Sequence, residues 1–282
     1  MERMMKKRHI VGSLSIGVLV IIGIIVWLIL RGNTGGVYFP PIETSKVSGV
    51  ISTYYLGTDA YQYYLYYDGH VYTAREFSAV ENGGFGNLVK EENHIGTVYG
   101  NYEYYWSVEK DMLDKVTTEG KLYALDGYDD VFRVAVLYKQ EVMNVDRLIV
   151  FECANDMRLK DGADFYLDRL HLEQPVEIRI KSSADMERTV QLNVELANEF
   201  MKALCLGEVL ENTKELEEEI ARIEEKGTYY FITIVRGDGI EEQIMLYPNG
   251  YAVYRRWPQT KIVVNMSKEV VQATIEAVNG EK

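Results

Sequence analysis

Hard cations are held where several carboxylate oxygens converge, and Asp126-Gly-Tyr-Asp129-Asp130 packs three acids around one glycine. The EF-hand spacing with its distal bidentate Glu is absent, and Asp and Gly are also the residues that build ordinary turns. A turn is therefore the preferred reading, with Asp126, Asp129 and Asp130 kept behind it as the metal candidates. The histidines are His9, His70, His94 and His171. No pair has the i, i+4 spacing of a zinc-binding helix, and there is no Cys-x-x-Cys. His171-Leu-Glu173 resembles the first half of a zinc-deaminase signature, but the second half, with Pro and paired Cys, is missing. No metal and no cofactor are expected.

Nucleophile and phosphate motifs are also missing. The only stretch with Ser between glycines, Gly12–Gly17, lies in an apolar segment. Gly83-Gly84-Phe85-Gly86 lacks the Gly-x-Gly-x-x-Gly pattern, and no Walker A sequence occurs. Arg236-Gly237-Asp238 spells a tripeptide that some adhesion receptors read, yet it sits where a hairpin turn needs Gly and Asp. Carboxylates for glycoside cleavage meet only in the fold, so spacing cannot select a pair. The chain is read as a non-enzyme, with an envelope hydrolase working through carboxylates as one alternative.

Tyrosine is the residue type that stands out. Tyr61, Tyr63, Tyr64, Tyr66, Tyr67 and Tyr72 crowd one hairpin region. Alternate residues of a strand face opposite sides, so Tyr63 and Tyr67 point one way and Tyr64 and Tyr66 the other. One face can be core. The other is expected to be a binding platform for a protein or a cell-wall glycan, because Tyr offers a large contact area with a polar tip. A sheet covered on both faces is the competing reading. Cys153 ends an apolar strand and Cys205 falls on the apolar face of a helix. Two separate thiols are preferred over a disulfide between them.

These residues need elements to position them. Tyr61–Tyr67 and Val71–Thr73 flank Asp68-Gly69, a strong hairpin signal. Val50–Leu56, Gly96–Trp106, Lys121–Leu125, Val131–Tyr138, Arg147–Cys153 and Val176–Ile180 read as further strands. A helical turn is expected around Ala163–Leu170. From residue 188 the period changes: Leu192, Leu196, Phe200 and Leu204 mark a packed helix that stops at Gly207. Asn212-Thr-Lys-Glu215 has capping-box spacing and opens a surface helix. Thr228–Val235, Ile240–Tyr247 and Tyr251–Trp257 form a meander, and Ser267 caps a last helix. This order predicts an α+β fold with antiparallel sheets. The expected division is a linker at 31–47, a strand-rich subdomain at 48–183 and a helix-helix-meander-helix subdomain at 184–282, or one continuous domain.

Ile10 to Leu30 contains no charged residue. Twenty-one residues of helix span about 31 Å, the thickness of a bilayer core. Arg3, Lys6, Lys7 and Arg8 precede the segment and Arg31 alone follows closely, so residues 1–9 are expected in the cytoplasm and 32–282 outside. The competing reading, a cleaved signal peptide, fits less well: the apolar core is too long and Leu28-Ile29-Leu30-Arg31 is no small-x-small site. Ser13 and Gly17 form a small-xxx-small pair that would let two such helices approach as a homodimer. Residues 1–31 carry five Lys/Arg and one acid, which leaves 25 Lys/Arg against 42 Asp/Glu beyond them, a net of −17. Such a body repels nucleic acid and anionic headgroups.

The phrase Leu122-Tyr-Ala-Leu-Asp-Gly-Tyr-Asp-Asp-Val-Phe-Arg-Val-Ala-Val136 resembles a segment of uncharacterised membrane-anchored or secreted proteins of Gram-positive bacteria. The likeness covers about one twentieth of the chain and implies a bacterial, extracytoplasmic setting without assigning any functional residue. The expected function is a single-pass, membrane-anchored binding or assembly module. Besides the hydrolase, the alternative is a component of a cell-envelope secretion or conjugation machine.

Overall fold

Aromatic and β-branched residues recur from Tyr63 to Phe151, and the strands they form close into a ring. The computed structural model describes residues 35–40, 62–75, 79–81, 88–101, 105–113, 115–128, 132–140, 144–153, 157–227, 229–237, 240–255 and 261–280. The apolar segment 10–30, most of the linker, the strand expected at Val50–Leu56, Tyr61, Asp129 and Asp130 lie outside the described residues. Among the described residues no helix is long and apolar enough to cross a membrane.

The first strand, β1 (Val37–Phe39), pairs far along the chain. Next come β2 (Gln62–Tyr67) and β3 (His70–Arg75), a hairpin turned by Asp68 and Gly69 with φ of 48° and 73°. Left-handed backbone at both central residues matches the twist of paired strands, which is why Asp-Gly serves here. β4 (Ala79–Glu81), β5 (His94–Asn101), β6 (Tyr105–Ser107), β7 (Thr118–Ala124), β8 (Arg133–Gln140) and β9 (Val145–Glu152) follow. The order is β3-β2-β6-β5-β7-β8-β9, and β3 pairs back to β9 through Thr73 and Glu152, with β4 also beside β9. The sheet is thus a closed barrel, and closure pairs strands that would otherwise be open edges. Its neighbours are antiparallel except for the parallel β2–β6 pair. The single strand expected at Gly96–Trp106 is two strands, β5 and β6, folded back on each other. No Gly or Pro between Asn101 and Tyr105 announced that turn.

One set of alternate residues fills the barrel. Leu65, Tyr72, Val98, Trp106, Leu122, Val134, Val136, Tyr138, Ile149 and Phe151 belong to one buried cluster. The Trp106 and Tyr138 rings lie 4.9 Å apart. A Cβ on Gly100 would stand 3.0 Å from the indole and 2.6 Å from Thr118 Cγ2, and one on Gly120 would stand 3.1 Å from the indole. These two positions are glycine because Trp106, together with Thr118 beside Gly100 and Val136 and the Leu137 carbonyl beside Gly120, occupies the volume a side chain would take.

The second half is built on an open sheet. β10 (Met157–Leu159) pairs with β1, and α1 (Gly162–Tyr166) is capped by Asp161, whose side chain accepts from the N–H groups of Ala163 and Asp164. Then come β11 (Glu177–Ser182), β12 (Asp185–Gln191), α2 (Val194–Leu206), β13 (Glu208–Leu210), α3 (Lys214–Glu225), β14 (Tyr230–Val235), β15 (Glu241–Leu246), β16 (Tyr251–Tyr254), β17 (Ile262–Asn265) and α4 (Lys268–Asn279). The order is β12-β11-β14-β15-β16-β17-β13, antiparallel throughout. Ile180, Ile232, Ile234, Ile244 and Leu246 pack on one face with Phe165, Phe200, Leu204, Val271 and Ile275 of the helices. Val253 and Val263 meet Leu216 and Ile220 of α3 on the other. The fold is α+β and rich in sheet, as the pattern predicts.

Three local expectations change. The boundary placed near residue 183 cuts off β11, which pairs with β12 and β14 of the second sheet. β12 escaped notice because it is an edge strand of mostly exposed, polar residues with no alternating apolar signal. Asn212 does not cap α3: Thr213 accepts from Leu216 N–H, and Asn212 Nδ2 donates to the Lys261 carbonyl at 2.8 Å. Gly207 does end α2, but in extended backbone (φ −69°, ψ 143°). Glycine is needed there because a Cβ would lie 2.4 Å from Val264 Cγ1 and 2.7 Å from the Asn265 carbonyl. Val37–Lys282 forms one compact unit.

Candidate functional site

Strand alternation places Glu242 on the same face of β15 as Ile244 and Leu246, so an acid points into the core. It meets a cation from the barrel. Arg133 opens β8, directly opposite Glu152 of β9. Its Nη2 donates to Glu242 Oε1 at 2.7 Å and also to Glu152 Oε1, while Nη1 donates to the Tyr128 hydroxyl at 2.8 Å. The Tyr254 hydroxyl on β16 lies 2.8 Å from Glu152 Oε2 and 3.1 Å from Glu242 Oε2. Arg133, Glu152, Glu242 and Tyr254 are all wholly buried. Burial opposes the guanidinium charge, but Glu152 and Glu242 outweigh it, and Arg133 is held more firmly protonated than usual. The half-buried Tyr128 ring carries two guanidiniums over it, Arg133 and Arg236, each 4.7 Å from its centroid. The cluster thus joins the barrel to the second sheet.

Two facing carboxylates are the arrangement a hydrolase would need, but these two are bridged by one hydroxyl and one guanidinium and are closed to solvent. Glycosidase carboxylates stand roughly 5–9.5 Å apart with a sugar between them. This cluster has the chemistry of a lock and gives the hydrolase reading no support.

The residues singled out from sequence are dispersed. Asp126 accepts from Asn93 Nδ2 at 2.5 Å and from Lys90 Nζ, so an ammonium sits where a metal would have to bind. Those two hydrogen bonds hold the Asp126 carboxyl below its usual range. Among the described residues no three His, Cys, Asp or Glu side chains are grouped to hold a metal. The tyrosine platform needs correcting. Tyr63 and Tyr72 are buried in the barrel core, and Tyr67 packs against the same core. Tyr64, on the outer face, is 9% exposed and stacks on Tyr105 with ring centroids 5.8 Å apart. Among the described residues of the expected set only Tyr66 and Tyr67 keep partial exposure, and they face opposite ways. Arg236 of the adhesion-like tripeptide is engaged with Tyr128 and the Leu170 carbonyl.

Cys153 and Cys205 are both thiols, with no bond between them. Burial, and then the carboxylates of Asp161 and Glu173, push the Cys205 thiol up to about 11. Alkylation by iodoacetamide at pH 8 should therefore run roughly two orders of magnitude slower than at an ordinary thiol of pKa about 8.5. The rate should climb about tenfold per pH unit until near pH 11. Peptide-resolved labelling across that range checks this, and a rate that levels off near pH 9 would contradict the assignment.

An open cleft of about 620 Å³ runs between the C-terminal half of α2 and the N-terminal half of α4. Ala203, Leu206, Val270 and Ala273 supply its apolar lining, and Leu206 is 73% exposed. Glu199, Glu208 and Glu269 stand at its rim with one cation, Lys202.

Comparison with family models, curated proteins and solved structures finds no match.

Sequence reasoning missed both the buried cluster and the cleft. Glu242 left a usable signal, since Glu242, Ile244 and Leu246 share one strand face. The cleft left none, because it is lined by α2, β13, β17 and α4, and only the packing brings them together.

Proposed function

We propose that the chain is a single-pass, membrane-anchored extracytoplasmic binding or assembly module. The apolar segment 10–30 serves as the anchor, with residues 1–9 cytoplasmic and the acidic body outside. The observation that carries the reading is the cleft between α2 and α4: exposed apolar side chains in a concave surface mark interaction sites more often than catalysis. The sealed Arg133–Glu152–Glu242 cluster supports it as well, because the acids that the fold brings together hold the body rigid and take no substrate. A polypeptide ligand is favoured over a glycan, since the described residues lining the cleft include no aromatic ring on which a sugar could stack.

In-cell cross-linking of the full-length protein, followed by mass spectrometry, tests the reading. A reproducible set of membrane proteins, cross-linked through the exterior body, is the expected result and would favour a place in a secretion or conjugation assembly. Capture of only the protein itself, or of nothing, would overturn it.

A further inference from the structure

The binding-module reading leaves open what the cleft takes. Its walls are two helices lying side by side on one sheet face, so the space between them matches the ridge of a third helix. The lining is small and apolar at Ala203 on α2 and Ala273 on α4, with Leu206 and Val270 beside them. Leu206, 73% exposed, is the large apolar side chain of this lining, and Ala203, Val270 and Ala273 continue it within one concavity.

Charge narrows the occupant. Glu199, Glu208 and Glu269 outnumber Lys202 among the described lining residues; Glu269 accepts from the Ser267 hydroxyl at 2.6 Å and feels the charge of Lys268 beside it. A second copy would bring a body of net charge −17 against these carboxylates. Nucleic acid and anionic headgroups would bring phosphate. A cationic segment with one apolar face removes both mismatches.

We propose that the cleft docks a basic amphipathic helix of a partner protein, its apolar face on Ala203, Leu206, Val270 and Ala273 and its cations against Glu199, Glu208 and Glu269. The proposal rests on the binding-module reading and adds the chemistry of the partner.

The test uses the full chain in zwitterionic nanodiscs with photoreactive benzoylphenylalanine at Ala273, or at Glu187 on β12 as control. The probe is a Leu/Lys peptide of about five helical turns, beside a permuted peptide of the same composition with no apolar face. Empty nanodiscs measure binding to lipid. Saturable labelling at Ala273 by the amphipathic peptide, and not at Glu187 or by the permuted one, is the expected result. Glu199→Lys with Glu269→Lys should weaken it by about tenfold or more, the scale of two rim attractions turned into repulsions. These are exposed side chains, and an unchanged circular dichroism spectrum confirms the fold. Equal labelling by both peptides, or indifference to the charge reversals, overturns the proposal. If in-cell cross-links reach partners through other surfaces, this inference fails while the binding module stands; if in-cell capture is empty, the module itself fails.

Discussion

Arg133→Met is expected to cost about 3–5 kcal/mol, a large share of the roughly 5–15 kcal/mol that keeps an ordinary domain folded. The loss does not come from a missing attraction alone. Glu152 and Glu242 would remain wholly buried without the guanidinium that faces both of them, and the Tyr128 hydroxyl would lose its donor. Titration cannot relieve the wild type of its cation, because the two carboxylates hold Arg133 protonated beyond any working pH. Removing one charge of each sign is a different experiment. Arg133→Met with Glu242→Leu deletes the cation and the acid that comes from the other sheet, and Leu extends the apolar row of Ile244 and Leu246. Part of the loss should return, with a coupling of about 1–3 kcal/mol between the two sites. Urea unfolding of the full chain, followed by near-ultraviolet circular dichroism, measures both variants. A single-variant cost below about 1 kcal/mol would place this cluster with ordinary surface pairs and remove it as the lock between the halves.

What the sequence made legible follows from how far apart the interacting residues are. The Asp68-Gly69 hairpin, the cap at Ser267, and the meander from β14 to β16 are all local, and each reads directly from turn and capping chemistry. Barrel closure is not local. It needs Thr73 to meet Glu152, and a parallel β2–β6 contact that no hairpin signal can announce. The cluster is harder still, because Arg133 and Glu242 are 109 residues apart and each looks unremarkable in its own strand. The tyrosines misled for a related reason. Period-two alternation says that two faces exist, but not that one lines a closed barrel while the other is covered too. Tyr63 and Tyr64 are both buried, on opposite faces of β2.

The barrel interior gives the second large effect. Trp106→Ala should cost about 3–5 kcal/mol, because the indole is almost wholly buried and its removal leaves a void that Gly100 and Gly120 cannot fill. Gly100→Ala should cost about 1–3 kcal/mol from the other direction, by forcing a methyl against Thr118 and the indole. Combined with Trp106→Leu, Gly100→Ala should lose less than the sum of the single variants, since the shorter side chain vacates the volume the new methyl enters. Thermal unfolding of the four proteins decides this. Additive losses would mean that the Thr118 methyl, not the indole, sets the need for glycine at position 100. The sign of the coupling also bears on function. Buried side chains of the barrel strands converge on Trp106, whereas the α2–α4 cleft opens on the outside of the second sheet's helices. If Trp106→Ala kept wild-type stability and took up small apolar probes, the barrel would be a cavity with a removable filler, and the search for a ligand would move inside it.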